Sequence, residues 1–168
     1  MVPLVLALDE AILLRIRRWR FAGMTSLMKL CTRLGDALSW VFAALVLIAA
    51  VGEASRTGLR LGMAAGLAAL LAQVLKRLWR RERPSAGIIG FTPLVENPDA
   101  FSFPSGHSAA AFAVALAMAG LVPGGPAFAV LAFAVSLSRV YLGAHYPLDV
   151  GVGACIGLLC GAVTRMAL

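Results

Sequence analysis

Charge is what this sequence has least of. Asp, Glu, Lys and Arg make up 14% of its 168 residues, against about 25% in a soluble domain. With 61% hydrophobic residues and a mean hydropathy of +0.89, too few charges remain to coat a water-soluble globule. The same composition excludes a disordered or fibrous chain. Acidic residues are scarcest: 8 Asp and Glu stand against 15 Lys and Arg, for a net charge of +7. No Cys-x-x-Cys occurs, and Cys31, Cys155 and Cys160 are odd in number, so they are read as packing residues. Met1–Glu10 does not read as a signal peptide, because it has no basic stretch and Asp9 and Glu10 interrupt its apolar run. Aromatic and β-branched residues give way to Ala, Leu and Gly. The expectation is an all-α integral membrane protein forming one domain over residues 1–168. A basic chain with so little water-facing surface suits anionic lipid or phosphate as partner, and not nucleic acid.

Five apolar segments read as transmembrane helices: 37–51, 58–75, 108–122, 127–142 and 148–166. Ahead of them, residues 1–35 read as amphipathic interfacial helices, and 36–168 as the transmembrane catalytic core. Leu4, Leu8, Ile12 and Ile16 recur every fourth residue, and Arg15, Arg17, Arg18 and Arg20 would be costly inside a bilayer. A charged helix packed on its own protein fits this stretch equally. Pro123-Gly124-Gly125-Pro126 reads as a tight turn. Gly153, Gly157 and Gly161, and likewise Gly62 and Gly66, have the four-residue spacing that lets helices pack closely in lipid. The long connection 77–103 reads as a loop packed on protein or dipped into the interface. Its Ile88, Ile89, Phe91, Phe101 and Phe103 are candidates to contact a lipid substrate.

Polar residues collect at three places. Lys76 and Arg83 lie seven apart, on one face if their helix continues, and Pro84 follows. Pro104-Ser105-Gly106-His107 immediately precedes an apolar helix, with Ser105 as N-cap and Gly106 allowing close approach to backbone N–H groups that bind phosphate. Ser138-Arg139 is followed by His145, Pro147 and Asp149, and Asp149 is placed to reach one imidazole nitrogen of His145. Because spans alternate faces, all three clusters fall on one side of the membrane. Two imidazoles, a carboxylate and three strong cations describe a phosphoryl-transfer site. Neither a carboxylate cluster for Mg²⁺ nor a zinc spacing accompanies them.

Lys76-x6-Arg83-Pro84, Pro104-Ser105-Gly106-His107 and Ser138-Arg139-x5-His145-x3-Asp149 resemble the three signature motifs of the type 2 phosphatidic acid phosphatase (PAP2) superfamily. The resemblance implies a metal-independent and cofactor-free phosphatase. Its substrate would be a phosphomonoester or diphosphate on a membrane lipid: a polyprenyl diphosphate, phosphatidylglycerol phosphate, phosphatidate or a lipid A type. It implies His145 as nucleophile, forming a phosphohistidine, Asp149 as its orienting partner and His107 as the acid for the leaving oxygen. Lys76, Arg83, Ser105, Gly106 and Arg139 would bind the phosphate. It implies the bacterial inner membrane, with the site facing the periplasm, although the N-terminal arginines run against that sidedness. Family members usually have six spans, and here amphipathic helices stand in for the first. A vanadate-dependent haloperoxidase and a non-enzymatic lipid-binding membrane protein are the alternatives.

Overall fold

The computed structural model describes residues 2–50, 52–97, 99–121 and 125–168. Among these the named elements are all helices: α1 (Val2–Arg17), α2 (Ala22–Leu34), α3 (Ala37–Ala49), α4 (Glu53–Trp79), α5 (Pro84–Gly87), α6 (Gly106–Met118), α7 (Gly125–Tyr141) and α8 (Pro147–Ala167). One isolated bridge, Glu82 to Phe101, is the only β pairing among the described residues. The expected turn at Pro123-Gly124-Gly125-Pro126 lies partly outside them.

The fold is assembled around an alanine-rich helix. Ala109, Ala110, Ala111, Ala113, Ala115 and Ala117 of α6 are all buried, and α4, α7 and α8 pack around them. The glycine spacing of α8 is used against α6. A Cβ at Gly153, Gly157 or Gly161 would lie 2.5, 2.3 or 2.6 Å from the carbonyl oxygens of Ser105, Ala109 and Ala113. Helix backbones in direct contact leave no room for it. In α4, Gly58 does the corresponding work against α3, where a Cβ would lie 2.7 Å from the Ala44 carbonyl oxygen. Gly66 does not: its Cβ would meet nothing within 4 Å, because the space beside it is a groove.

Among the described residues, two helices are long and apolar enough to cross a bilayer, α4 with 27 residues and α8 with 21. At 1.5 Å per residue they span about 40 and about 31 Å. α2 and α3 together form a third candidate, broken by a 53° bend. The bend falls at Gly35, where a Cβ would clash with the Val135 side chain on α7. The boundary expected between interfacial and transmembrane segments at residue 35 thus lies inside this bent pair. α6 and α7 are apolar but shorter, with 13 and 17 residues.

The Leu4, Leu8 and Ile12 stripe of α1 is exposed, as an interfacial helix requires, whereas Ile16 is half-buried. The opposite face docks on the protein. Leu13 is fully buried beside Phe91, Val140 and Tyr146, and Asp9 is buried with it. One face of α1 is thus packed on the protein and the other is left exposed.

Candidate active site

The site forms at one end of the bundle, where α4 and α7 finish and α6 and α8 begin. The cation cluster is not built on a continuous helix as the spacing suggested. α4 stops at Trp79 because Arg80 takes a left-handed conformation (φ 49°, ψ 34°). Pro84 then holds Arg83 extended (φ −76°, ψ 160°). The chain doubles back, with Ser102 N–H donating to the Arg81 carbonyl at 2.8 Å, so Arg83 meets Lys76 by folding and not by register.

Lys76 and Arg83 are both buried and share the carboxylate of Asp99. Lys76 Nζ donates to Asp99 Oδ2 at 2.7 Å, and Arg83 Nη2 to Asp99 Oδ1 at 2.5 Å. Arg83 Nη1 donates to the Ala144 carbonyl at 2.7 Å and lies 3.5 Å from His145 Nε2. Burial would raise the Asp99 carboxyl, but the hydrogen bonds from Lys76 and Arg83 outweigh it and hold Asp99 below the usual range. A permanent anion thus sits between the two cations, beside a histidine nitrogen. Arg139, 4% exposed, has only neutral hydrogen-bond partners among the described residues: Nη1 donates to Thr32 Oγ1 at 2.5 Å and Nη2 to Asn97 Oδ1 at 3.3 Å. Its Nε has no hydrogen-bond partner among the described residues.

His145 lies in the turn between α7 and α8 and is 1% exposed. Burial first, then the positive fields of Arg139, Arg83 and Lys76, push its imidazole well below the ordinary range, so it is neutral at pH 7. Its Nδ1 stands 3.6 Å from Asp149 Oδ2, an ion-pair distance that is long for a hydrogen bond. The carboxylate is held elsewhere: Tyr146 N–H donates to Oδ2 at 2.9 Å and Arg81 Nη1 to Oδ1 at 2.6 Å. Pro147 opens α8, as expected.

Ser105 caps α6 through Ser108 N–H, at 3.5 Å, and its own N–H donates to the Asp149 carbonyl at 2.9 Å, tying the second and third motifs together. Ser138 Oγ is committed to the Val135 carbonyl at 2.6 Å. Gly106 faces open space, the nearest contact for a Cβ being Ala72 at 3.9 Å. His107 Nε2 is 2.6 Å from Asp36 Oδ1, and that hydrogen bond holds the Asp36 carboxyl below its usual range against the effect of burial.

A groove of about 550 Å³ opens from His107, Lys76 and Asp99 and passes between α3 and α4, along Ala69, Gly66 and Trp40. Its polar groups are gathered at the site end. The aromatic residues of the long connection do not line it. Phe91 is 5% exposed and packs on Leu13, Val140 and Tyr146, with the Arg17 guanidinium 4.9 Å above its ring, and Ile88 joins the same cluster. Phe103 pairs with Trp79 at 5.8 Å. Phe91 and Ile88 thus anchor the connection to the bundle, Ile89 is fully exposed, and none of the five lines this groove.

Asp9, Thr32, Asp36, Arg81, Asn97 and Asp99 join the site although none belongs to the three motifs. Asp9 and Asp36 each carried a signal, a carboxylate interrupting apolar sequence. Asn97 and Asp99 carried none, because only folding brings them to the cations.

The PAP2 superfamily profile matches residues 57–167. The chain belongs to the PAP2 superfamily. A decaprenylphosphoryl-5-phosphoribose phosphatase from Mycobacterium tuberculosis is 34% identical over 142 residues, covering 84% of this chain and 78% of that one. The Aquifex aeolicus LpxE crystal structure superposes with a TM-score of 0.83 at 26% identity, over 95% of each chain. A transmembrane PAP2-type phosphatidylglycerolphosphate phosphatase from Bacillus subtilis superposes with a TM-score of 0.80 at 29% identity, over 97% of this chain and 85% of that one. This PAP2 protein is a membrane-embedded hydrolase of phosphoric esters, acting on lipid phosphate.

Proposed function

We propose that this PAP2 protein removes phosphate from a polyprenyl-type lipid through a phosphohistidine on His145, without a metal. The observation that carries the reading is the Asp99 carboxylate, seated between Lys76 and Arg83 while Arg83 lies 3.5 Å from His145 Nε2. A substrate phosphate exchanged for that carboxylate would meet the same cations beside a neutral imidazole. His145 Nε2 attacks phosphorus, and the bond to the lipid oxygen breaks as His107 supplies its proton. Asp149 faces Nδ1 and balances the charge that develops on the ring. Lys76, Arg83 and Arg139, with Ser105 and Gly106 at the start of α6, hold the equatorial oxygens. Water, deprotonated by His107, then attacks the phosphohistidine and releases inorganic phosphate. The nearby carboxylates are each engaged by a cation or a histidine: Asp99 by Lys76 and Arg83, Asp149 by Arg81, Asp36 by His107.

The groove beside α3 and α4 suits a single apolar chain, and the mycobacterial relative acts on a decaprenyl lipid. A glycerolipid phosphate is the second reading, favoured by similarity to the Bacillus subtilis enzyme. Phosphate release from both classes by purified protein in detergent, with and without EDTA, decides. Faster turnover of the glycerolipid would overturn the substrate assignment, and loss of activity on chelation with recovery in Mg²⁺ would overturn metal independence.

We further place the chain in the bacterial inner membrane, with α3, α4, α6, α7 and α8 crossing it and the site facing the periplasm. The site lies at the start of α8 and Leu168 at its other end. A C-terminal green fluorescent protein fusion is then cytoplasmic and fluorescent, whereas a dark fusion with an active C-terminal alkaline phosphatase fusion reverses the sidedness.

A further inference from the structure

Asp9 lies on α1, 48 residues ahead of the stretch that matches the PAP2 profile, residues 57–167. It is nonetheless 4% exposed, and a buried carboxylate needs a reason. Its Oδ2 accepts from Arg81 Nη2 at 2.6 Å, and its Oδ1 accepts from Leu148 N–H at 2.7 Å, in the first turn of α8. Arg81 uses its other terminal nitrogen, Nη1, on Asp149 Oδ1 at 2.6 Å. The guanidinium lies 4.1 Å from the centre of the Tyr146 ring, which fixes its plane. One cation therefore bridges two buried carboxylates, and the second of them faces His145.

We propose that Asp9 and Arg81 are positioning residues for catalysis, so that α1 completes the charge balance behind the nucleophile. The reasoning rests on His145 as nucleophile. Forming its bond to phosphorus leaves the imidazole ring with a positive charge. Lys76, Arg83 and Arg139 surround that ring with like charge, and His107 stands nearby. Asp149 opposes them, with Tyr146 N–H and Arg81 on its oxygens. Alone, Arg81 would cancel the charge of Asp149. Asp9 offsets Arg81, and the Asp9–Arg81–Asp149 group keeps one net negative charge for the ring. Arg81 at the same time fixes the direction of Asp149. No proton or electron moves through the relay; it acts by charge and orientation.

The test compares kcat and KM on a lipid phosphate that the wild type turns over. Asp9→Asn keeps the shape and the acceptor for Leu148 N–H but removes the charge. We expect kcat to fall on the order of tenfold, with KM changed less than about twofold. Asp9→Glu restores most of the loss. Leu13→Ala, which loosens the docking of α1 without altering charge, lowers the melting temperature and leaves kcat largely unchanged. An unchanged kcat in Asp9→Asn overturns the proposal, as does an equal loss in Leu13→Ala with no rescue by Asp9→Glu. Should Asp9→Asn give no folded protein, Arg81→Lys carries the test, because one ammonium cannot bridge both carboxylates in the same geometry. A kcat fall of similar size supports the relay, and an unchanged kcat overturns it. Full turnover by His145→Ala would instead sink the nucleophile assignment, which separates the two failures.

Discussion

At the scale of single residues, burial without charge compensation is the informative quantity. Arg139 is enclosed, touches Thr32 and Asn97, and leaves Nε without a partner among the described residues. An arginine so placed is costly unless an anion arrives. Arg77, by contrast, is exposed on the last turn of α4. Arg139→Ala is expected to lower kcat/KM by about 100-fold or more, and Arg77→Ala to leave most activity. Equal losses in the two would refute the role given to Arg139. His145 supplies a second prediction. Its folded pKa lies well below 6.5, so the unfolded chain binds its proton first as pH falls. Its neutral burial favours the folded state fully above about pH 6.5 and progressively less below it. Asp36 and Asp99, held below their usual range, contribute above that range and lose stability only in stronger acid. The melting temperature should therefore drop between pH 7.5 and 5.5, and drop less in His145→Gln. An equal drop in both proteins would assign the effect to other groups.

Elements show the same residue type doing opposite work. Gly157 lets α8 touch the backbone of α6, and Gly66 leaves the groove beside α4 open. Gly157→Ala should cost about 1–3 kcal/mol through overpacking and lower the melting temperature. Gly66→Leu should leave melting nearly unchanged while raising KM for long-chain substrates. Unaltered melting in Gly157→Ala would contradict the close helix contact. The long connection is likewise divided. Phe91 pins it beneath α1, whereas Asp99 reaches the cations that are proposed to bind phosphate. Asp99→Asn removes an internal competitor for Lys76 and Arg83, so KM should fall several-fold, with some loss of stability. A raised KM would show that Asp99 helps to build the phosphate seat.

Across the whole molecule, the groove joins the apolar interior of the bundle to its charged end. If the proposed lipid substrate lays its chain in this groove, binding energy from that chain is available to seat the phosphate. kcat/KM should rise with chain length until the groove is filled and then level off, whereas a water-soluble phosphate monoester should be turned over poorly. Equal kcat/KM for short and long chains would leave the groove without a role in catalysis. The bundle also explains why α1 has two faces. Leu4, Leu8 and Ile12 are left outward while Asp9 and Leu13 reach the protein, so one face of α1 is free and the other is part of the bundle.

Composition alone made this chain helical and membrane-bound, because a bilayer interior leaves an apolar segment few ways to satisfy its backbone except as a helix. The motif residues Lys76, Arg83, His107, Arg139, His145 and Asp149 were legible because charge and imidazole in apolar sequence are rare, and Ser105 because it stands as N-cap before an apolar helix. Pro84 and Pro147 marked element boundaries through restrictions on their own and the preceding backbone. What tertiary structure alone decided was where each charge is answered. Arg80 turned left-handed and took Arg83 off its helix, and the returning chain brought Asp99 between Lys76 and Arg83. Asp9, Asp36 and Arg81 gained their partners across 139, 71 and 68 residues of sequence. A hydrogen bond or ion pair depends on distances of a few ångströms, and no local pattern of residues carries that information over such separations.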